Sequence, residues 1–435
     1  MNRSILAPEI ALRRASAIAL LVFLLLLTGC GSRESTTVLR FWAMGREGEL
    51  VRQLIPEFER RHPEVRVKVQ QLPWSAAHEK LLTAFVGETM PDVFQLGNTW
   101  LPEFVALGAL TALDEHIAAS ATLARAELFP GVLATNVIDD RTYGVPWYVD
   151  TRLLFYRKDV FAAAGHAEPP RTWAEWLDAL RAVRQMIGPD NHALLLPFNE
   201  WQVLVILALQ HDAELLRDNG RFGAFDTPAF RAAFEFYVQL FGEGLAPALG
   251  AGQVGNLYQD FANGFINVYI SGPWNIAEFA SRLPANQQPH WGTAPLPGRG
   301  KDYPGQSLAG GASLVVSKHT RHQAAAWKLI EFLSEPEQQV KFYQLSGDLP
   351  ASRRAWRDAA LDQDRHAAAF WRQLQALRET PKIPEWERIA ELIARHAERV
   401  IRGRASIDEG LAALDRDVDR LLEKRRWLLA RKASQ

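Results

Sequence analysis

Residues 38–69, VLRFWAMGREGELVRQLIPEFERRHPEVRVKV, change their hydrophobic period twice. Val38-Leu39-Arg40-Phe41-Trp42 is a short β-like run. Leu50, Val51, Leu54, Ile55 and Phe58 then recur at the spacing of one helix face, and His62-Pro63 stops it. Val65, Val67 and Val69 alternate with polar residues, the period of a half-buried strand. A further helix over 76–86 leads to Pro91-Asp92-Val93-Phe94-Gln95-Leu96, a strand of the fully buried type. Alternating β and α units predict an α/β domain with a largely parallel sheet.

Upstream, Arg3, Arg13 and Arg14 precede an apolar run from Ala15 to Leu27, shorter than the roughly 20 residues of a bilayer span. The run ends in Leu27-Thr28-Gly29-Cys30, and Cys30 is the only cysteine, so it can neither close an intrachain disulfide nor complete a cysteine metal site. This pattern resembles the bacterial lipobox, which implies cleavage before Cys30, acylation of its thiol and a short polar tether, Gly31 to Thr37, to a water-exposed body. Removing the first 29 of the 435 residues leaves 406, enough for two lobes with cores of their own. The leader holds three Arg and one Glu, so the net charge moves from −1 to −3. A nearly neutral chain lacks the basic footprint that nucleic acid requires.

Downstream, Thr172-x-x-Glu175, Ser334-x-x-Glu337 and Ser406-x-x-Glu409 read as capping boxes that open helices. Helices over 172–186 and 230–241 belong to a middle region, and from Gln323 the chain is mainly helical, its charged tail an amphipathic surface helix. Val203 to Leu209 is the most apolar later run, and it too is short of a membrane span. Gly292 to Gly305, rich in Gly and Pro, reads as a crossing between lobes.

No G-x-S-x-G elbow, P-loop or H-E-x-x-H motif is present, and the 11 His are scattered without metal-ligand spacing. No cofactor or metal is therefore expected. The 14 Trp say more. Trp74, Trp100, Trp147, Trp201, Trp274 and Trp386 are among those beside Pro, Gly or Asn, where loops begin. A ring with an apolar face suits the C–H face of a sugar, whose hydroxyls need carboxylates and amides. Glu47, Asn98, Asp150, Asn199 and Asn275 lie close to these rings in sequence, so a sugar cleft is expected.

In order along the chain stand FWAMGREGELVRQLIPEFERRHPEVRVKV, MPDVFQLGNTWLPEFVALGALTALDE, YGVPWYVDTRLLFYRKDVFAAAG with PPRTWAEW, FANGFINVYISGPWN, and LAGGASLVVSKHTRHQAAAWKLIEFLSEPEQQ. The chain resembles the extracellular solute-binding proteins of bacterial ABC sugar importers, of the maltose- and trehalose-binding kind. The resemblance implies a two-lobed periplasmic-binding-protein-like fold (type II), its ligand cleft between lobes joined by a multi-strand hinge. It implies that Glu47 accepts sugar hydroxyls, that Tyr148 and Asp150 stand at the first lobe crossing, that Trp274 stacks on the sugar, and that Gly310-Gly311 let backbone approach it. Asn98 takes over the role of an acid that some of these proteins carry where Gly97 stands. His78 falls near a basic contact, and either Arg353 or Arg354 supplies a cleft Arg, the choice staying open.

The boundaries implied are a signal peptide over 1–29, a lipidated tether over 30–37, one lobe from 38–146 with 297–350, and the other from 147–296 with 351–435. Crossings are expected near Pro146-Trp147, Pro295-Leu296-Pro297 and Leu349-Pro350. The expected partners are a small sugar, most simply maltose or trehalose, the membrane subunits of a permease with its cytoplasmic ATPase, and a membrane reached through the lipid anchor. The protein is expected to be an extracytoplasmic monomer and no enzyme. The competing reading is a secreted lipoprotein glycosidase drawing its acids from Glu47, Asp150 and Glu385; it needs two carboxyls about 5–10 Å apart.

Overall fold

The computed structural model describes residues 36–300 and 302–433, so the leader, Cys30 and the expected tether up to residue 35 lie outside the described residues, while Thr37, expected as the tether's last residue, already pairs with Val65 in the first strand. Nine strands build two sheets: β1 (Thr37–Met44), β2 (Val65–Leu72), β3 (Val93–Gly97), β4 (Gly144–Asp150), β5 (Leu153–Arg157), β6 (Val268–Ser271), β7 (Trp291–Ala294), β8 (Gly310–Val316) and β9 (Leu349–Pro350). The larger sheet has the order β9-β4-β8-β3-β1-β2, and the smaller β6-β5-β7. The expected segment 38–69 forms β1, the helix Gly45–Leu50, a single 3₁₀ turn, the helix Ile55–Arg61, and β2.

β1 pairs in parallel with β2 and β3, but β8 runs antiparallel to β3 and to β4. The sheet is thus less parallel than expected, for a topological reason. β4 leaves toward the second sheet at Asp150, and β8 returns paired with it, Gly310 opposite Asp150. A chain that leaves and re-enters at the same end of a sheet must reverse direction. The return is also irregular, with a register shift between Ala312 and Ser313. Just before it, Gly311 has φ of +117°, and a Cβ there would stand 2.3 Å from the Tyr148 carbonyl oxygen, so this position admits only glycine.

Alternate residues of β1 explain how the larger sheet is buried on both faces. Leu39, Phe41 and Ala43 meet Leu329, Ile330 and Leu333 of the helix Gln323–Ser334. Met44, Phe94 and Leu96 meet Leu81 of the helix Trp74–Val86 and Phe104 on the other side. The second lobe is mostly helical. Its centre is the helix Gln202–Gln210, in which every residue from Val203 to Leu209 is buried. That apolar run is a core helix wrapped by others. The tail is two helices, Ile407–Leu421 and Glu423–Ala433, and the first buries Leu411, Leu414 and Val418. Among the described residues no helix is long and apolar enough to cross a membrane.

Thr172–Glu175 and Ser406–Glu409 are reciprocal capping boxes. Ser334–Glu337 is not. Ser334 ends the preceding helix and its hydroxyl donates back to the Ile330 carbonyl, while Pro336 opens the next helix behind an uncapped Glu335. The first passage between the sheets is also later than expected. β4 stays hydrogen-bonded in the larger sheet through Asp150, leaving Thr151 and Arg152 as the connection to β5. The expected Gly/Pro-rich crossing begins as β7, and only after Ala294 does the chain run back to β8.

Candidate functional site

A cavity of about 680 Å³ opens where the chain turns out of the larger sheet. β1 ends into Arg46 and Glu47, β2 into Pro73 and Trp74, β3 into Asn98 and Trp100, and β4 at Tyr148 and Asp150. Ligands of open α/β sheets bind outside the carboxyl ends of the strands, and this cavity lies there. Gly310 and Gly311 of the returning strand complete that wall, and Asp348 enters it one residue before β9. The opposite wall belongs to the second lobe: Arg152, Trp201, Tyr258 and the helix Trp274–Arg282. Trp274, Glu278 and Arg282, four residues apart, present one face of that helix to the cavity.

The acids are held in different ways. Tyr148 donates its hydroxyl to Glu47 Oε1 (3.0 Å), and Trp74 Nε1 donates to Glu47 Oε2 (3.4 Å). Gln95, buried in β3, donates to the Tyr148 hydroxyl (2.9 Å) and so fixes the pair. Arg152 Nη1 donates to both oxygens of Asp150 at 2.7 Å, and its guanidinium lies 4.8 Å from the Trp274 ring centroid. Arg46 reaches across the cavity to Glu278 (2.9 Å), and Arg282 takes the other oxygen of Glu278 (2.5 Å). Burial pushes the Glu47 carboxyl above the ordinary carboxylate range. Burial, and then the charge of Glu47, push Asp348 well above it. The arginines of the cavity are thus already spent on its acids, Arg152 on Asp150 and Arg46 with Arg282 on Glu278. The cavity is suited to an uncharged ligand rich in hydroxyls.

A carboxyl with a raised pKa holds a proton in the folded state that the unfolded chain gives up. Stability then falls as pH rises from the ordinary carboxylate range through the raised value. Asp348→Asn removes that loss. The variant is expected to melt at a higher temperature than wild type at about pH 7, with the gain gone at about pH 3, where both states are protonated. A variant less stable at neutral pH would show that Asp348 is held as a stabilising anion instead.

Ten of the seventeen residues expected from the sequence line this cavity: Glu47, Trp74, Asn98, Trp100, Tyr148 and Asp150, with Trp201, Trp274, Gly310 and Gly311. The other seven do not. Trp147 is buried against Phe342 (4.5 Å) because strand alternation turns it away from the side that Tyr148 and Asp150 share. His78, Asn275 and Trp386 each stand behind a wall residue. His78 lies 5.0 Å from the Trp100 ring, with Nε2 2.7 Å from Glu103, and that hydrogen bond raises its pKa. Asn275 accepts from the Tyr258 hydroxyl (2.9 Å), and Trp386, wholly buried, meets the Trp201 ring edge-on at 5.4 Å. Asn199 is exposed and accepts the N–H of Ala251. Arg353 and Arg354 are both outside the cavity, so the choice between them lapses. Sequence reasoning missed Arg46, Arg152, Tyr258, Glu278, Arg282 and Asp348; four-residue spacing from Trp274 was the available signal for Glu278 and Arg282.

A family model described as bacterial extracellular solute-binding protein matches residues 44–340. The sugar-binding protein MalE from the phytopathogen Xanthomonas citri has a solved structure that is 47% identical, with a TM-score of 0.86, covering 91% of this chain and 99% of that one. The diacetylchitobiose binding protein DasA of Streptomyces coelicolor is 25% identical over 360 residues, 82% of each chain. The galactooligosaccharide-binding protein of Bacillus subtilis is 24% identical over 380 residues, 83% of this chain and 86% of that one. With a family match over most of its length and a two-lobed neighbour at that identity, the chain belongs to the bacterial extracellular solute-binding proteins.

Proposed function

We propose that this protein captures a neutral oligosaccharide between its lobes and delivers it to the membrane subunits of an ABC importer. One observation carries the reading. Of the large apolar side chains lining the cavity, Trp74 and Trp274 each keep 37% of their surface exposed, and they come from opposite lobes. Rings left open in a cavity whose charges are already satisfied are faces for a ligand with apolar sides and a polar rim. An α-glucoside disaccharide such as maltose or trehalose has that form. The relatives named above are binding proteins, which supports capture over hydrolysis. Acylated Cys30 would hold the protein at a membrane facing its permease.

A ligand that touches both lobes favours the closed state, and that differential affinity moves the population. Maltose, trehalose, sucrose and maltotriose are therefore tested by thermal shift and by small-angle scattering. At least one should raise the midpoint, by about 2.7 kcal/mol of added stability at a hundredfold excess over Kd, and shrink the radius of gyration. If none shifts the midpoint, sugar capture fails. If the recovered sugar is cleaved, the protein is a hydrolase.

A further inference from the structure

Arg353 does not reach the sugar cavity, and its actual position is the unexplained feature of the fold. A separate groove of about 810 Å³ is lined by Arg353, Arg357, Arg372, Trp356 and Trp371. The backbone N–H of Arg353 donates to the Glu127 carbonyl (2.7 Å), which fixes where its side chain starts. Its guanidinium then lies against two rings, 6.0 Å from the Phe129 centroid and 5.7 Å from that of Trp371. Those rings pack on one another at 5.4 Å, and Trp356 lies 5.2 Å from Trp371 with its own N–H spent on the Pro350 carbonyl. Arg353 is therefore positioned by aromatic contact alone. Among the described residues, none of the three guanidiniums makes a side-chain hydrogen bond or an ion pair. Glu127 and Asp362 also line the groove, pair with none of the three, and leave it with a net charge of +1.

A guanidinium donates in a planar fork that matches carboxylate and phosphate, and it stacks on rings without using those donors. Arg152, Arg157 and Arg181 are instead each spent on a carboxylate, Asp150, Asp159 and Glu243. Three unspent forks around an indole floor make a receptor for an anion carried on a ring. We propose that this groove is a second binding site, distinct from the sugar cleft, for an anionic saccharide: a sugar ring bearing a phosphate or a carboxylate. The part of the Trp371 ring that Arg353 leaves exposed meets the sugar, Arg353 takes the anion, and Arg357 and Arg372 close on it from the rim.

Glucose 6-phosphate, glucuronate, inorganic phosphate and glucose are titrated by calorimetry into the mature chain, with and without saturating maltose. Glucose 6-phosphate and glucuronate should bind saturably whether or not maltose is present, and glucose should not. Phosphate alone should bind more weakly, for want of the ring. R353Q and the double variant R353Q/R372Q should weaken the anionic sugars roughly ten- to hundredfold, the cost of losing hydrogen bonds to a charged group. Both variants should keep the wild-type response to neutral sugars, which also reports that they fold. The proposal is overturned if no anionic sugar binds saturably, if the variants bind it as wild type does, or if maltose competes it away. Should neutral sugars fail to bind while anionic ones do, the cleft reading falls and this one stands.

Discussion

Trp274→Ala is expected to weaken every sugar the protein accepts by roughly 2–4 kcal/mol, about 30- to 1,000-fold in Kd. Removing the ring takes away a stacking face, so the loss should be shared by maltose, trehalose and any longer glucoside instead of falling on one stereoisomer. The same ring shields the acid beside it. A Cβ on Gly272 would stand 2.0 Å from Trp274 and 2.6 Å from Asp150 Oδ1, so an edge of the indole lies close to that carboxylate. The variant should therefore also let water reach the Asp150–Arg152 pair. Trp274→Phe keeps a face without the N–H and should recover most of the affinity. Calorimetry that finds the alanine variant within a factor of about two of wild type would remove Trp274 from the site.

Arg152→Ala should act first on the fold and then on binding. Asp150 and Arg152 keep 18% and 16% of their side-chain surface exposed, so they form a nearly buried pair that ties the end of β4 to the two-residue passage between the sheets. Removing one partner of a buried pair strands the other charge and costs about 3–5 kcal/mol; some solvent remains here, so the lower end applies. Urea unfolding should show that loss at neutral pH. The double variant Asp150→Asn/Arg152→Ala should regain much of the stability, since the stranded charge is gone, yet still bind sugar poorly. An Arg152→Ala protein as stable as wild type would mean that the pair contributes nothing to the passage.

The outline of the fold was legible where residues carry a period. Val65, Val67 and Val69 mark β2, and Thr172 with Glu175 marks a helix start, because strand alternation and capping are local. Ser334 had the same letters as a cap, but the helix before it claimed its hydroxyl. The direction of β8 was not local either. It follows from where a long excursion through the second lobe re-enters the sheet.

The cleft divides the same way. Glu47, Trp74, Asn98 and Asp150 stand just after strands or at their ends, so turning out of the sheet brings them together. Trp147 was separable from Tyr148 by strand alternation alone. His78, Asn275 and Trp386 have the right chemistry one layer too deep: they hold Trp100, Tyr258 and Trp201 in place. Asp348 had no sequence signal, since it reaches the cavity only because β9 joins the far edge of the sheet.

The ion pair between Arg46 and Glu278 joins residues 232 positions apart, one from each lobe. Arg46 is half exposed, so the pair contributes no more than about 1 kcal/mol, and dissolved salt weakens it. Small as it is, it would belong to the proposed closure of the lobes and not to the sugar. The free energy of binding would then contain an electrolyte-sensitive share that no property of an uncharged ligand explains. Such a protein would hold the same neutral sugar more loosely in brine than in fresh water, reading the ionic strength outside the cell through a contact the sugar never touches.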